Sequence, residues 1–299
     1  MDANFIVIFS YFIVIYRIVQ LYEVLIAMSF QNQFTKTTTD ANLMETVHHG
    51  SAEYPFRYYY ENIALFDFKC IDWHWHSELE FIYIESGNVV FDIGTVHFEL
   101  NEGNGIMINS KILHRLQSSS DAIIPNFLFQ PSFIAPQDSL IYKKYINPVI
   151  SSSLEYLVFQ PDIPWQKKAL EIIKTIIAVQ ETEFNREIIV SMSVQQLWIL
   201  LLENLTFDQF ENMDAVISRT RLQLMMQYVH AHYSENITLE DIARTANISK
   251  STALHLFQNN LKLTPVKYLI NYRLKQAALL LINTEEKIAT ISNNTGFNN

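Results

Sequence analysis

Four residues have the types and spacing of a ligand cluster: His74 and His76 in HWHSELE, Glu80 four positions further on, and His114 at the end of EGNGIMINSKILH. On an extended strand, residues two apart face the same side, so His74, His76 and Glu80 share one face. Three imidazoles and a carboxylate suit Fe, Mn, Ni or Zn, and open coordination positions would permit oxygenase or isomerase chemistry. The same side chains also make a pocket for a sugar-like or small polar ligand, or hydrogen-bond among themselves. The expectation adopted is a ligand-binding pocket with no cofactor, with the metal centre of an enzyme as the alternative. Ser-His-Asp, phosphate-loop and CxxC patterns are absent, which removes hydrolase, nucleotide and zinc-finger readings.

A different chemistry is spelled by residues 238–261, TLEDIARTANISKSTALHLFQNNL. Thr238 is a good N-cap, and Asp241, three residues on, places acid at the positive end of a short helix. Leu239, Ile242, Ala243 and Ala246 recur at helical spacing as its buried stripe. A turn follows at Asn247, Ser249 caps a second helix, and Ala253, Leu256 and Phe257 pack it onto the first. Lys250, Ser251, Thr252, Leu254, His255 and Gln258 are left facing outward. A helix presented in this way lies in the major groove of DNA, where polar side chains reach base edges and cations reach phosphates.

The elements around this pair extend the pattern. Residues 219–233 form an amphipathic helix in front, 265–282 a longer one behind, and 285–292 start another that ends at Gly296 and Phe297. Together with His232, Tyr233, Tyr268, Arg273, Ala277, Leu280, Leu281, Thr284, Ile288 and Ile291, this order resembles the C-terminal DNA-binding domain of AraC/XylS transcription regulators. The resemblance implies two helix-turn-helix units, double-stranded DNA as partner and RNA polymerase as a candidate one. The sequence ends at Asn299, directly after the Gly-Phe that precedes the second recognition helix in such domains. The second reading head is therefore expected to be absent, and a regulator without DNA-binding activity stays open. Lys262 occupies a position where the family usually has Gly, which would be costly if positive φ is required there. Leu254 and His255 stand where relatives commonly carry Arg and Gln, so no base preference is carried over.

Residues 56–130 carry alternating, aromatic-rich runs broken by turns, the signature of an antiparallel barrel or sandwich. HWHSELEFIYIESG and the later His114 resemble the two motifs of the cupin barrel, the usual effector domain of many such regulators, although Asn101 and Asn104 replace its Pro and Asp. In metal cupins the four matching residues surround one ion; in the regulators they belong to a pocket. Trp73 and Trp75 have the opposite parity and are expected to pack under a helix. Two helical runs follow, from Trp165 and from Arg186. Their apolar stripes are Ala169, Ile173, Ile176 and Ile177, then Ile189, Met192, Leu197, Leu200 and Leu201. The resemblance assigns this region to pairing of subunits, so a homodimer is expected.

The chain has 299 residues, one Cys and a formal net charge of −10. A single Cys70 excludes an intrachain disulfide and fits a reducing cytoplasm. Residues 214–299 hold nine Lys or Arg and six Asp or Glu, a net of +3, on an otherwise acidic chain. Such a basic part suits phosphate contact. The first 27 residues are almost wholly apolar, interrupted by Arg17 and Glu23 beyond Tyr16, and have no basic start or cleavage site. They are expected to be an extension ahead of a start at Met28, with a membrane anchor as the alternative. The expected fold is α+β: an extension at 1–27, a cupin-like effector domain at 28–163, and a helical dimerisation pair at 164–205. A linker at 206–218 then leads to an all-α helix-turn-helix domain at 219–299. The expected function is a cytoplasmic, effector-responsive, sequence-specific transcriptional regulator, not an enzyme.

Overall fold

The computed structural model describes residues 35–40, 42–94, 96–182, 184–205, 213–261 and 263–297. The apolar extension at 1–27, Lys262, and the start of the expected linker at 206–212 lie outside the described residues.

Among the described residues, nine antiparallel strands form two sheets. They are β1 (Phe56–Asn62), β2 (Cys70–His74), β3 (Leu79–Tyr83), β4 (Asn88–Ile93), β5 (Val96–Asn101), β6 (Gly105–Ile108), β7 (His114–Gln117), β8 (Ile123–Phe129) and β9 (Tyr156–Phe159). One sheet runs β1-β8-β3-β6-β9 and the other β2-β7-β4-β5. Between them lies an apolar filling of Ile82, Ile84, Val89, Phe91, Ile93, Ile106, Ile108 and Leu116. Period-two alternation sends Glu80 and Ile82 of β3 inward, while Leu79 and Phe81 face the other way. Phe81 stacks there with Phe127, Phe129 and Phe159. Helices α1 (Pro164–Ala178) and α2 (Arg186–Asn204) cover that outer face, contributing Ala169, Leu170, Ile173, Ile176, Val190, Val194, Leu197, Trp198 and Leu201 to one core.

HWHSELEF is not one strand. β2 ends at His74, Trp75 makes a single parallel bridge to Met44, and β3 begins at Leu79 in the other sheet. The bend at Ser77–Glu78 is held by side chains: Gln130 donates to Ser77 Oγ and Glu78 Oε1 at 2.7 and 2.6 Å, and Ser110 donates to the Ser77 carbonyl at 2.7 Å. His74 and Glu80 therefore approach each other from two sheets rather than along one strand. Met192 also departs from expectation. It is 65% exposed, because the inward face of α2 is the one carrying Val190, Val194, Leu197 and Leu201.

The C-terminal part is helical: α3 (Met213–His232), α4 (Leu239–Thr245), α5 (Lys250–Leu261), α6 (Pro265–Asn283) and α7 (Ile288–Asn294). α3 starts ahead of residue 219, within the segment expected as linker. Its core holds Leu222, Met225, Met226, Val229, Ile242, Ala243, Ala253, Phe257, Tyr268 and Leu269, and it also takes in Leu43, Trp73 and Leu113 from the β region. No helix among the described residues is long and apolar enough to cross a membrane.

Candidate functional site

The reading helix is built as its sequence dictates. The Thr238 hydroxyl accepts from the Asp241 N–H at 3.2 Å, and the Asp241 carboxylate accepts from the Thr238 N–H at 2.9 Å, a reciprocal capping box. Asn247 sits at φ +53°, a left-handed conformation that Asn tolerates better than most residues, and this turns the chain from α4 toward α5. Ser249 Oγ then accepts from the Thr252 N–H at 3.1 Å. Ala253 and Phe257 are fully buried, while Lys250, Ser251, His255 and Gln258 are exposed. Leu254 and Thr252 are half-buried, and the Thr252 hydroxyl lies 2.9 Å from Ser249 Oγ, within the cap. Lys250 pairs with Glu240 at 3.3 Å in an exposed, weakly stabilising contact.

Two positions further along hold this domain together. Arg273 of α6 donates to the carbonyls of Tyr233 and Glu235, each at 2.6 Å, just beyond the C-terminus of α3, where unpaired carbonyls accumulate. Gly296, at φ +79°, lies against the same spot; a Cβ there would stand 2.7 Å from the Tyr233 carbonyl and 2.8 Å from Arg273 Nε. Only glycine fits that approach without displacement.

The second cluster lies inside the β region. His74, His76 and His114 are buried, and each offers a ring nitrogen within 4.8 Å of the others. Each donates through Nδ1 to a main-chain carbonyl: Asp72 O at 2.7 Å, Glu78 O at 3.2 Å and Ile112 O at 2.8 Å respectively. A carbonyl can only accept, so each Nδ1 carries a proton, and in the neutral ring that a metal requires Nε2 is left to present a lone pair. Glu80 Oε2 stands 3.1 Å from His114 Nε2 and 3.4 Å from His76 Nε2, yet none of these three buried atoms makes a hydrogen bond. Burial and the neighbouring His114 push the His74 imidazole down to about 4, so it is neutral at pH 7. Unpartnered lone pairs converging on one point, with the opposite ring nitrogen anchored, fit a divalent cation. Ligand atoms about 2.0–2.2 Å from zinc lie roughly 3.3 Å apart in a tetrahedral set.

Sequence reasoning found these four residues and missed their surroundings. A cavity of about 40 Å³ beside the cluster is lined by His74 and Glu80 together with Lys36, Glu45, His49, Tyr59, Glu61 and Asn126. His49 bridges Tyr59 Oη at 2.9 Å and Glu45 Oε2 at 3.0 Å, and Asn126 donates to Glu61 at 2.8 Å. Burial pushes the Glu61 carboxyl up to about 8. A carboxylate at a buried position of the aromatic-rich strand FRYYYEN was the signal available for Glu61. Asn104, standing where the barrel motif expects Asp, accepts from the Asn101 N–H at 3.3 Å and keeps the β5–β6 turn closed.

Residues 66–136 match the AraC-like ligand binding domain family, and residues 242–299 match a helix-turn-helix domain family. The HTH-type transcriptional regulator YdeC of Bacillus subtilis (strain 168) is 33% identical over 266 residues, covering 87% of this chain and 89% of that protein. The lactose operon transcription activator of Staphylococcus xylosus is 26% identical over 175 residues, covering 56% of this chain and 62% of its own. The crystal structure of ToxT from Vibrio cholerae O395 has 12% identity and a TM-score of 0.38, covering 81% of this chain and 88% of ToxT. With a reading helix on a capped turn, a buried ligand cluster in a two-sheet domain, and a full-length relative of this kind, the chain belongs to the AraC family of helix-turn-helix transcriptional regulators.

Proposed function

We propose that this regulator senses through a divalent transition-metal ion held by His74, His76, Glu80 and His114, and reads DNA through Lys250, Ser251, His255 and Gln258. The observation that carries the sensing half is the convergence of His76 Nε2, His114 Nε2 and Glu80 Oε2, buried and without hydrogen-bond partners. When bound, the ion supplies Lewis-acid attraction for those lone pairs and for a small molecule entering beside them. The chain's own residues do the rest. The three main-chain carbonyls fix the tautomers, and the β2 and β3 strands bring imidazole and carboxylate in from opposite sheets. The barrel works as a sensor and not as a catalyst. The cavity of about 40 Å³ beside the cluster, bordered by His74 and Glu80, has room for a few waters, since one water takes roughly 10–15 Å³. A sugar-like effector is favoured by the S. xylosus relative's lactose operon and by the ring of Glu45, His49, Tyr59, Glu61 and Asn126. It would require that ring to open.

The regulator acts as a homodimer. On the outer face of α2, Ile188, Met192 and Ile199 are 58%, 65% and 57% exposed, and with Gln195 they follow the alternating four-and-three spacing of a coiled-coil seam. Pairing there gives two reading helices per assembly, activating transcription as the S. xylosus relative does, with RNA polymerase as a partner, in the cytoplasm where the DNA is.

Titration of the metal-free chain with Co(II) tests the sensing half. The expected result is one equivalent bound with visible ligand-field bands, abolished by His74→Ala and His76→Ala. No bands, together with unchanged thermal stability in the presence of Zn(II), would sink the metal reading.

A further inference from the structure

We propose that strands β2 and β7 form the transmission between the ligand cluster and the DNA reader, with Asp72, Trp73 and Lys275 as its joint. The inference deepens the sensing reading above and rests on it for the identity of the trigger. Its basis is adjacency along the backbone at a bulge: the β2–β7 register shifts between Ile71 and His74, so that Asp72 and Trp73 both face the helical domain beside inward-facing His74. His74 and His114 are direct partners in the β2–β7 ladder and both face the interior. The residues beside them face the other way. Trp73 and Leu113 are buried in the core of the helical domain together with Leu222, Met225, Met226 and Val229 of α3. Arg115 lies over the Trp73 ring at 5.6 Å and is held there by Asp92 at 2.9 Å. Ligand atoms and interdomain packing are thus consecutive residues on the same backbone, where a shift of one imposes a shift of the other.

Asp72 closes the joint. Its carbonyl accepts from His74 Nδ1 at 2.7 Å, its N–H donates to Thr37 Oγ1 at 2.8 Å, and its carboxylate accepts from Lys275 Nζ of α6 at 2.5 Å. The carbonyl that orients the His74 ring and the carboxylate that grips α6 therefore belong to one residue. α6 in turn carries Tyr268, whose ring meets Phe257 of the reading helix edge-on at 5.6 Å, and Tyr272, which stacks on His230 of α3 at 3.8 Å. A parallel strut runs through Asn42, whose carbonyl accepts from both Trp75 Nε1 at 2.8 Å and Gln227 Nε2 of α3 at 2.7 Å. Drawing His74, His76 and His114 toward a common centre repositions Asp72, Trp73 and Trp75 together, and α6 with the reading helix follows.

The test uses the full chain, a labelled duplex from upstream of its own coding region, and Co(II) as the probe. Lys275→Gln touches none of the four cluster residues. In the wild type Co(II) is expected to change DNA affinity about tenfold, within the usual range for allosteric coupling. In Lys275→Gln the Co(II) bands should be unchanged while the affinity change falls below about twofold, and Lys275→Arg should restore most of it. A full affinity change retained in Lys275→Gln would overturn the transmission. Coupling is reciprocal, so DNA must also alter hydrogen exchange in β2 and β7 of the metal-free wild type. Unchanged exchange there overturns the transmission whatever the metal does. DNA-dependent protection of β2 in a protein that binds no Co(II) supports the transmission and overturns the metal reading instead.

Discussion

His230 shows how much a single buried ring decides. It lies stacked on Tyr272 at 3.8 Å, with Nε2 2.8 Å from the Tyr268 hydroxyl, and burial pushes its imidazole down to about 4. Between pH 6.5 and about 4 the unfolded chain binds a proton at this position that the folded chain refuses. Its contribution to stability is therefore complete above pH 6.5 and is lost as pH falls toward 4, by up to about 3 kcal/mol. Denaturant unfolding of the wild type and His230→Gln across that range should show a shallower loss in the variant; equal slopes would show that His230 is not the residue responsible. At this scale the sequence displayed His74, His76, Glu80 and His114, because ligand types at motif spacing are local information. It could not display Asp72 and Lys275 as partners, since they are 203 residues apart and each reads alone as an ordinary surface charge.

The helix-turn-helix was the most legible element, because its caps are chemical and short-range. Thr238→Ala should cost about 1 kcal/mol, measured by chemical denaturation, since it removes one half of the capping box and leaves the Asp241 N–H without its acceptor. Other elements were harder to place for physical reasons. HWHSELEF keeps strand-like composition through a bend that contains neither Gly nor Pro, so parity counted from His74 to Glu80 did not show that they belong to strands of different sheets. α2 is apolar around most of its circumference, which leaves a helical period with no clear inner side. The core claimed Val190, Val194 and Leu201, and Met192 went outward. That outer face makes its own prediction. Ile199→Glu, with Ile199 57% exposed, should leave folding intact and convert a dimer to monomers in sedimentation velocity. A wild type that is already monomeric at micromolar concentration would remove the seam from the account.

The described residues are organised around three apolar cores, one of which is shared between the β region and the reader through Leu43, Trp73 and Leu113. The division into a sensing part and a reading part could be seen in composition and pattern, whereas the docking of one on the other depends on contacts between residues far apart in sequence. Trp73 was expected to pack under a helix, and the helices it meets are those of the reader. A ligand that binds the folded cluster and not the unfolded chain stabilises the fold by mass action, about 2.7 kcal/mol at a hundred times its Kd. Zn(II) should accordingly raise the thermal midpoint of the whole chain, and raise it less in His114→Ala.

The most direct measurement is fluorescence anisotropy of the full chain with its own upstream duplex and a scrambled duplex, across a salt series, with and without one equivalent of Co(II). The account predicts tighter binding to the native duplex, a clear salt slope from phosphate contacts, and a native-site affinity that changes when Co(II) is present. Equal, weak binding to both duplexes that is indifferent to Co(II) would contradict it.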